Sequence, residues 1–273
     1  YPTIMFSPGQ GEVNSDTAIL KSNTLIYGPH YWMQNGWDGG LQLGNGKHYP
    51  NYITICTNIV NIRPWFWSQL IDSLVSWYKI KKGSIHVTGL SLGAFTWSRY
   101  LCYSSNGVES HNMSVVKSFV ALEGTAFDNF NGVSFGNNFP RIWSQNYNAS
   151  YFALEGTNDT RQTWITRDSM VAAGSSKAYF SFETYGGGAH CCWNTMYDPS
   201  NRDWRDIDQI TNTNIAKNRN HPNSLGNYQG GTNIFQWMLQ QGDTTLVGGD
   251  APSVSAGSDQ SINLPTSSVT LTA

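Results

Sequence analysis

Short runs rich in β-branched and aromatic residues recur along the chain between polar stretches. They predict strands at 3–6, 52–57, 84–88, 115–122, 151–155 and 178–184. Segments of helical length lie between several of them, at 65–80, 92–104 and 160–173, and another follows the last strand at 232–240. Strands alternating with helices predict an α/β fold with a mostly parallel sheet covered by helices on both faces. In such sheets chemistry gathers at the carboxyl ends of the strands. The first 241 residues suffice for one large domain with a buried core. After Gln241 the pattern changes: 242–250 is rich in Gly and Thr and reads as a linker. Residues 251–273 then alternate apolar and polar positions over two short runs.

Composition narrows the function classes. Charged residues make up 12% of the 273 positions, about half the roughly 25% of an ordinary domain. The net charge of −2 supplies no basic footprint for nucleic acid. No apolar stretch reaches the roughly 18 residues of a membrane span. A polar, uncharged, aromatic-rich surface, with 11 Trp in the chain, suits a secreted protein that handles carbohydrate. The chain opens on the strand-like segment Thr3 to Phe6, as expected where a leader has been removed. Cys56, Cys102, Cys191 and Cys192 have no metal-ligand spacing. A bridge between chain neighbours is strained, so Cys191 and Cys192 are expected to be free or paired with distant partners.

One motif carries chemistry. Residues 87–94 read Val-Thr-Gly-Leu-Ser-Leu-Gly-Ala, a strand running into Gly89-Leu90-Ser91-Leu92-Gly93 and out into a helix. That is the context of a nucleophile elbow, in which a sharp turn lifts the serine above the sheet. Glycines at 89 and 93 let strand and helix pass close to the turn. Asp159 follows the strand ending at Glu155, and His190 follows the strand at 178–184 through Gly186-Gly187-Gly188-Ala189. Taken singly, Asp159 also suits a helix N-cap and His190 a loop histidine. Together they stand in the order Ser, Asp, His, each just beyond a strand. A serine hydroxyl needs a base to take its proton, and the base needs an acid to fix its tautomer. The oxyanion of a tetrahedral intermediate needs donors. The backbone N–H of Leu92, after the nucleophile, is one candidate. The N–H of Gln10, in the loop Phe6-Ser7-Pro8-Gly9-Gln10-Gly11-Glu12 after the first strand, is the other.

On these residues the chain resembles an α/β-hydrolase of the esterase/PHB-depolymerase-like group, which includes feruloyl and acetyl-xylan esterases and predicted peptidases. The likeness covers about residues 3–240. It is carried by Pro-Gly-Gln-Gly-Glu at 8–12, Tyr-Gly-Pro at 27–29, Val-Thr-Gly-Leu-Ser-Leu-Gly at 87–93, Glu-Gly-Thr-Asn-Asp at 155–159 and Gly-Gly-Ala-His-Cys-Cys-Trp at 187–193. Pro8 stands where the group usually has His, and Glu155 where His often precedes Gly-x-x-Asp. The resemblance implies a catalytic domain over 1–241, acting without cofactor or metal. Ala-Gly-Ser-Asp-Gln and Leu-Pro-Thr in 251–273 resemble the opening of a PKD-like immunoglobulin-type module, as in one domain of a longer parent chain.

Several residues keep two readings. Glu123 ends the strand after the elbow, as a rival acid, a pocket-lining residue or a capped strand end. Trp193, three residues past His190, is expected to face substrate. Trp32 and Trp37, in the Gly/Asn-rich loop 28–48, are candidates for a pocket wall, while most other Trp should pack in the core. His30 and His48 lack a ligand partner at metal spacing and read as surface histidines. Lys79-Ile80-Lys81-Lys82 suits a helix end. The stretch 196–231 reads as a lid or substrate-facing segment, and Asp203, Asp206 and Asp208 lack the spacing of an EF-hand loop. The expected function is a secreted serine hydrolase of carboxylic esters, with an ester on a polysaccharide as leading substrate. A serine peptidase with the same triad and an inactive carbohydrate-binding module are the alternatives. Nucleic acid and membrane are not expected partners.

Overall fold

Strands buried on both faces form the centre of the computed structural model of this chain. It describes residues 1–13, 25–37, 52–57, 64–103, 115–124, 149–156, 159, 163–172, 174–175, 177–183, 189–200 and 233–241, with 16, 19, 22, 23, 41, 42, 48, 49, 205 and 206. The expected linker at 242–250, the PKD-like segment at 251–273, most of 196–231, Trp143, Trp204, Asp203 and Asp208 lie outside the described residues, as do the side chains of Trp65, Trp164, Cys102, His48 and Asp206.

The first strand, β1 (Thr3–Ser7), leads into a 3-10 turn at Gln10–Glu12 and helix α1 (Gly28–Gln34). A small hairpin, β2 (Leu41–Gln42) and β3 (His48–Tyr49), precedes β4 (Ile53–Cys56) and α2 (Pro64–Trp77). Then come β5 (Ile85–Leu90), α3 (Leu92–Tyr103), β6 (Val116–Leu122), β7 (Ser150–Gly156) and α4 (Trp164–Ala172). The last elements are β8 (Ala178–Glu183), α5 (Trp193–Met196), β9 (Arg205–Asp206) and α6 (Ile234–Gln240). Sheet order is β4-β1-β5-β6-β7-β8-β9. All neighbours run parallel except the two-residue β9, which pairs antiparallel with β8. Every expected strand is present within two residues of its predicted ends.

Side chains alternate across the sheet and feed two cores. On one face Met5, Val87, Phe119, Ala121, Tyr151 and Ala153 pack beneath Trp67, Ile71, Trp97 and Met170 of α2, α3 and α4. On the other, Ile4, Phe6, Val120, Leu122, Phe152 and Leu154 meet Met196 of α5 and Ile234, Phe235 and Trp237 of α6. Burial on both sides explains why these strands read as nearly continuous apolar runs. Several polar groups in the interior are paired. The Trp97 indole donates to the Thr88 carbonyl at 3.0 Å, and the Thr88 hydroxyl meets that of Tyr197 at 2.8 Å. His86 Nδ1 lies 2.9 Å from Ser118 Oγ, and burial drives its pKa down to about 3, so it stays neutral. Helix α6 carries a capping box between Asn233 and Gln236, and Asn233 Nδ2 donates to the Pro199 carbonyl at 2.8 Å.

The differences from expectation are local. The region 28–48 holds α1 and the β2–β3 hairpin rather than a plain loop, because Pro29 opens a helix that the Gly and Asn content concealed. Half-buried His30 lies on α1, and burial lowers its pKa, so it is no simple surface histidine. Helix α2 stops at Trp77, short of the expected 80. The chain there turns so that the Lys81 N–H bonds the Tyr1 carbonyl at 2.9 Å and Ile80 packs into the core.

Candidate active site

The β5–α3 connection places Ser91 at a backbone φ of 48°, the left-handed region that costs a non-glycine residue energy. Packing holds the strain in place. A Cβ on Gly89 would lie 2.5 Å from the Gly93 carbonyl carbon, and one on Gly93 would run into the carbonyl oxygens of Ser7 and Pro8. Glycine is therefore required at both positions for the helix to pass over the turn. The Ser91 N–H bonds the Leu122 carbonyl at 2.8 Å, tying the elbow to β6.

The other residues arrive from neighbouring strand ends. Asp159 follows β7, with its N–H on the Gly156 carbonyl at 3.0 Å and its side chain 2% exposed. His190 Nδ1 lies 2.9 Å from Asp159 Oδ2, and its Nε2 lies 2.9 Å from Ser91 Oγ. With the proton on Nδ1 donated to the carboxylate, Nε2 is left to accept the Ser91 O–H. The imidazole is 31% exposed, open on one side for a reactant.

Glu123 joins this group more closely than the sequence implied. The repeated Ala-Leu-Glu-Gly of 121–124 and 153–156 falls on adjacent strands in register, Ala121 opposite Ala153 and Leu122 opposite Leu154. The two glutamates then diverge. Glu155 turns outward from the site to accept from the Thr163 N–H at 2.7 Å and hydroxyl at 2.6 Å, fixing the entry to α4. Glu123, at φ 50°, points into the site: Oε1 accepts from the Gly156 N–H at 3.1 Å, and Oε2 lies 3.3 Å from His190 Nδ1. It is fully buried, and burial first, then the charge of Asp159, push its pKa up to about 8. The Trp193 indole faces the same carboxyl, short of full hydrogen-bond geometry. Among the described residues, Glu123, Asp159 and His190 are also the group close enough to hold a metal ion, their ligand atoms lying within 4.8 Å of one another. The imidazole nitrogens of that group are already engaged by Asp159 and Ser91.

Leu92 and Gln10 are the first residues of α3 and of the 3-10 turn, where backbone N–H groups have no partner within the helix. Gly9, beside Gln10, approaches the elbow so closely that a Cβ there would lie 3.6 Å from Ser91 Cβ. Glu12 in the same turn is buried, which raises its pKa.

The segment after His190 departs from expectation. Cys191 and Cys192 are bonded to each other. Cys192 adopts φ 72°, a left-handed residue at the N-cap of α5. Trp193 then meets His190 edge to face, with centroids 5.4 Å apart at 86°, and Tyr27 at 5.3 Å. The sequence pattern alone does not place Tyr27 beside Trp193, and its position in Tyr-Gly-Pro is the available signal. Trp32 packs against the α6-side core with its ring against Tyr31, and Trp37 stacks on Phe235 at 5.1 Å. Both serve the packing of α1 on that core.

The strand order, the parallel sheet and the strand–serine–helix elbow define an α/β-hydrolase fold. No protein-family model matches the chain, and neither does any curated protein. Among solved structures it is similar to a thermostable esterase, at 13% identity and a TM-score of 0.47, covering 72% of this chain and 52% of that one. It is similar to an esterase from Rhizomucor miehei at 13% identity and a TM-score of 0.44, covering 69% and 66% of the two chains. It is also similar to the feruloyl esterase module from Clostridium thermocellum, at 17% identity and a TM-score of 0.41, covering 72% and 75%. The chain thus spans about half the length of the first of these.

Proposed function

We propose that the chain is a serine hydrolase of carboxylic esters. The observation that carries this reading is the continuous relay from Ser91 Oγ through His190 to Asp159, with both hydrogen bonds at 2.9 Å. Ser91 Oγ attacks the ester carbonyl carbon while His190 Nε2 takes its proton, and Asp159 stabilises the resulting imidazolium. The carbonyl oxygen becomes an oxyanion between the N–H groups of Leu92 and Gln10. On collapse the alcohol leaves with the proton from His190, giving an acyl-Ser91 intermediate. Water, deprotonated by the same imidazole, then releases the acid and restores the serine.

The Trp193 ring meets His190 and the Tyr27 ring meets Trp193, and these aromatic surfaces support a substrate with a flat or ring-bearing portion. Together with the low charge of the chain, they favour an ester on a polysaccharide. The Cys191–Cys192 bridge supports an oxidising, extracellular setting.

The test is hydrolysis of p-nitrophenyl acetate by the wild type and Ser91→Ala, with fluorophosphonate labelling alongside. Labelling and turnover that both vanish in the variant support the reading. Turnover that survives Ser91→Ala overturns it. Cleavage of peptide anilides in preference to the acetate makes the protein a peptidase using the same triad.

A further inference from the structure

We propose that Glu123 is a second acid behind His190, a positioning residue able to take the imidazole Nδ1–H when Asp159 does not. The inference rests on the reading of Ser91, His190 and Asp159 above. Three observations carry it. Glu123 Oε2 lies 3.3 Å from His190 Nδ1, the atom that Asp159 Oδ2 approaches at 2.9 Å, so both carboxyls face one N–H. The residue holds a left-handed backbone at φ 50° at the end of β6, an unfavourable conformation that aims the side chain into the site. Its other oxygen is anchored by the Gly156 N–H at 3.1 Å, so the carboxyl is oriented rather than loose.

A carboxyl with no exposure, beside another that is 2% exposed, does not arise from strand packing alone. An apolar residue would fill the same space without the cost of burying a polar group. The charged or titratable groups facing Glu123 are Asp159 and His190, and the Trp193 indole faces it without titrating. Two carboxylates beside one imidazole cannot both ionise cheaply. Glu123 keeps a proton at neutral pH, its pKa raised to about 8 by burial first and then by the charge of Asp159. Removing the Asp159 charge takes away the second cause of that elevation and makes Glu123 easier to ionise. The carboxylate so formed accepts the Nδ1–H and keeps the tautomer that the serine needs.

The experiment compares Asp159→Asn, Glu123→Gln and the double variant on p-nitrophenyl acetate across pH. A triad stripped of its acid loses on the order of 10⁴ in kcat. The proposal expects Asp159→Asn alone to lose roughly 10²-fold, with activity climbing as pH rises and Glu123 ionises. The double variant should fall the full ~10⁴-fold with no such climb. Glu123→Gln alone should cost only a few-fold, since Asp159 remains. An Asp159→Asn enzyme that is already down by ~10⁴ and flat with pH overturns the proposal. So does a double variant that equals Asp159→Asn. The profile of Asp159→Asn needs no change at 123, so a poorly folding Glu123→Gln leaves the test intact. Fluorophosphonate labelling of the wild type separates the two claims: loss of labelling sinks the triad reading, whereas labelling with a flat Asp159→Asn profile sinks only the role of Glu123.

Discussion

Glu123→Gln should remove a pH-dependent component of stability that the wild type carries. Glu123 is fully buried, and its pKa is displaced from an ordinary 4.5 to about 8, chiefly by burial and secondarily by Asp159. Between those values the folded protein binds a proton that the unfolded chain has released. Stability contributed by this group is therefore complete below 4.5 and declines as pH rises through 8. Each pKa unit is worth about 1.4 kcal/mol, so the wild type should lose about 3 kcal/mol between about pH 5.5 and pH 8 from this residue. Gln keeps the shape and the acceptor for the Gly156 N–H but cannot ionise, so its component is flat. Urea unfolding of both proteins across this range isolates the difference, because every other titrating group is common to the two. The gap between their midpoints should widen steadily with pH in favour of the variant and level off above pH 8. Parallel curves would refute the reasoning, since they would mean that the site accepts the charged carboxyl as readily as water does.

Ser91→Ala should reduce ester turnover by on the order of 10⁴ or more while leaving Tm within a degree or two, read by kcat and thermal melting. Gly93→Ala places a methyl group against two backbone carbonyls that cannot move aside. It should destabilise by about 3 kcal/mol or more and lower Tm by roughly 10 °C, and an unchanged melt would contradict the close packing of the elbow. Asn233→Ala removes both a capping box and the bond to Pro199. A loss of about 1–2 kcal/mol in urea unfolding is expected.

Local patterns carried much of this protein into view. Strands with apolar residues on both faces announce themselves as continuous runs, which is why β1, β4, β5, β6, β7 and β8 were legible. Ser91, Asp159 and His190 were legible because strand ends in a parallel sheet share one edge, so order and position along the chain stand in for position in space. Helix α1 was not, because Pro29 and a buried contact to the core outweigh the turn-forming residues around it. The Cys191–Cys192 bridge was not, because nothing in the residue pattern marks the left-handed backbone that Cys192 adopts in the folded chain.

The clearest division concerns the two glutamates. In the chain, Ala-Leu-Glu-Gly-Thr occurs twice and its two copies are chemically identical. Composition and periodicity place both glutamates at strand ends and can say nothing further. Their roles separate only when β6 lies beside β7 in the sheet: one carboxyl reaches the start of α4, and the other turns through a left-handed residue toward His190. A side chain's pKa and partner depend on what surrounds it in three dimensions. The same five letters therefore yield a helix anchor at Glu155 and a buried acid in the site at Glu123.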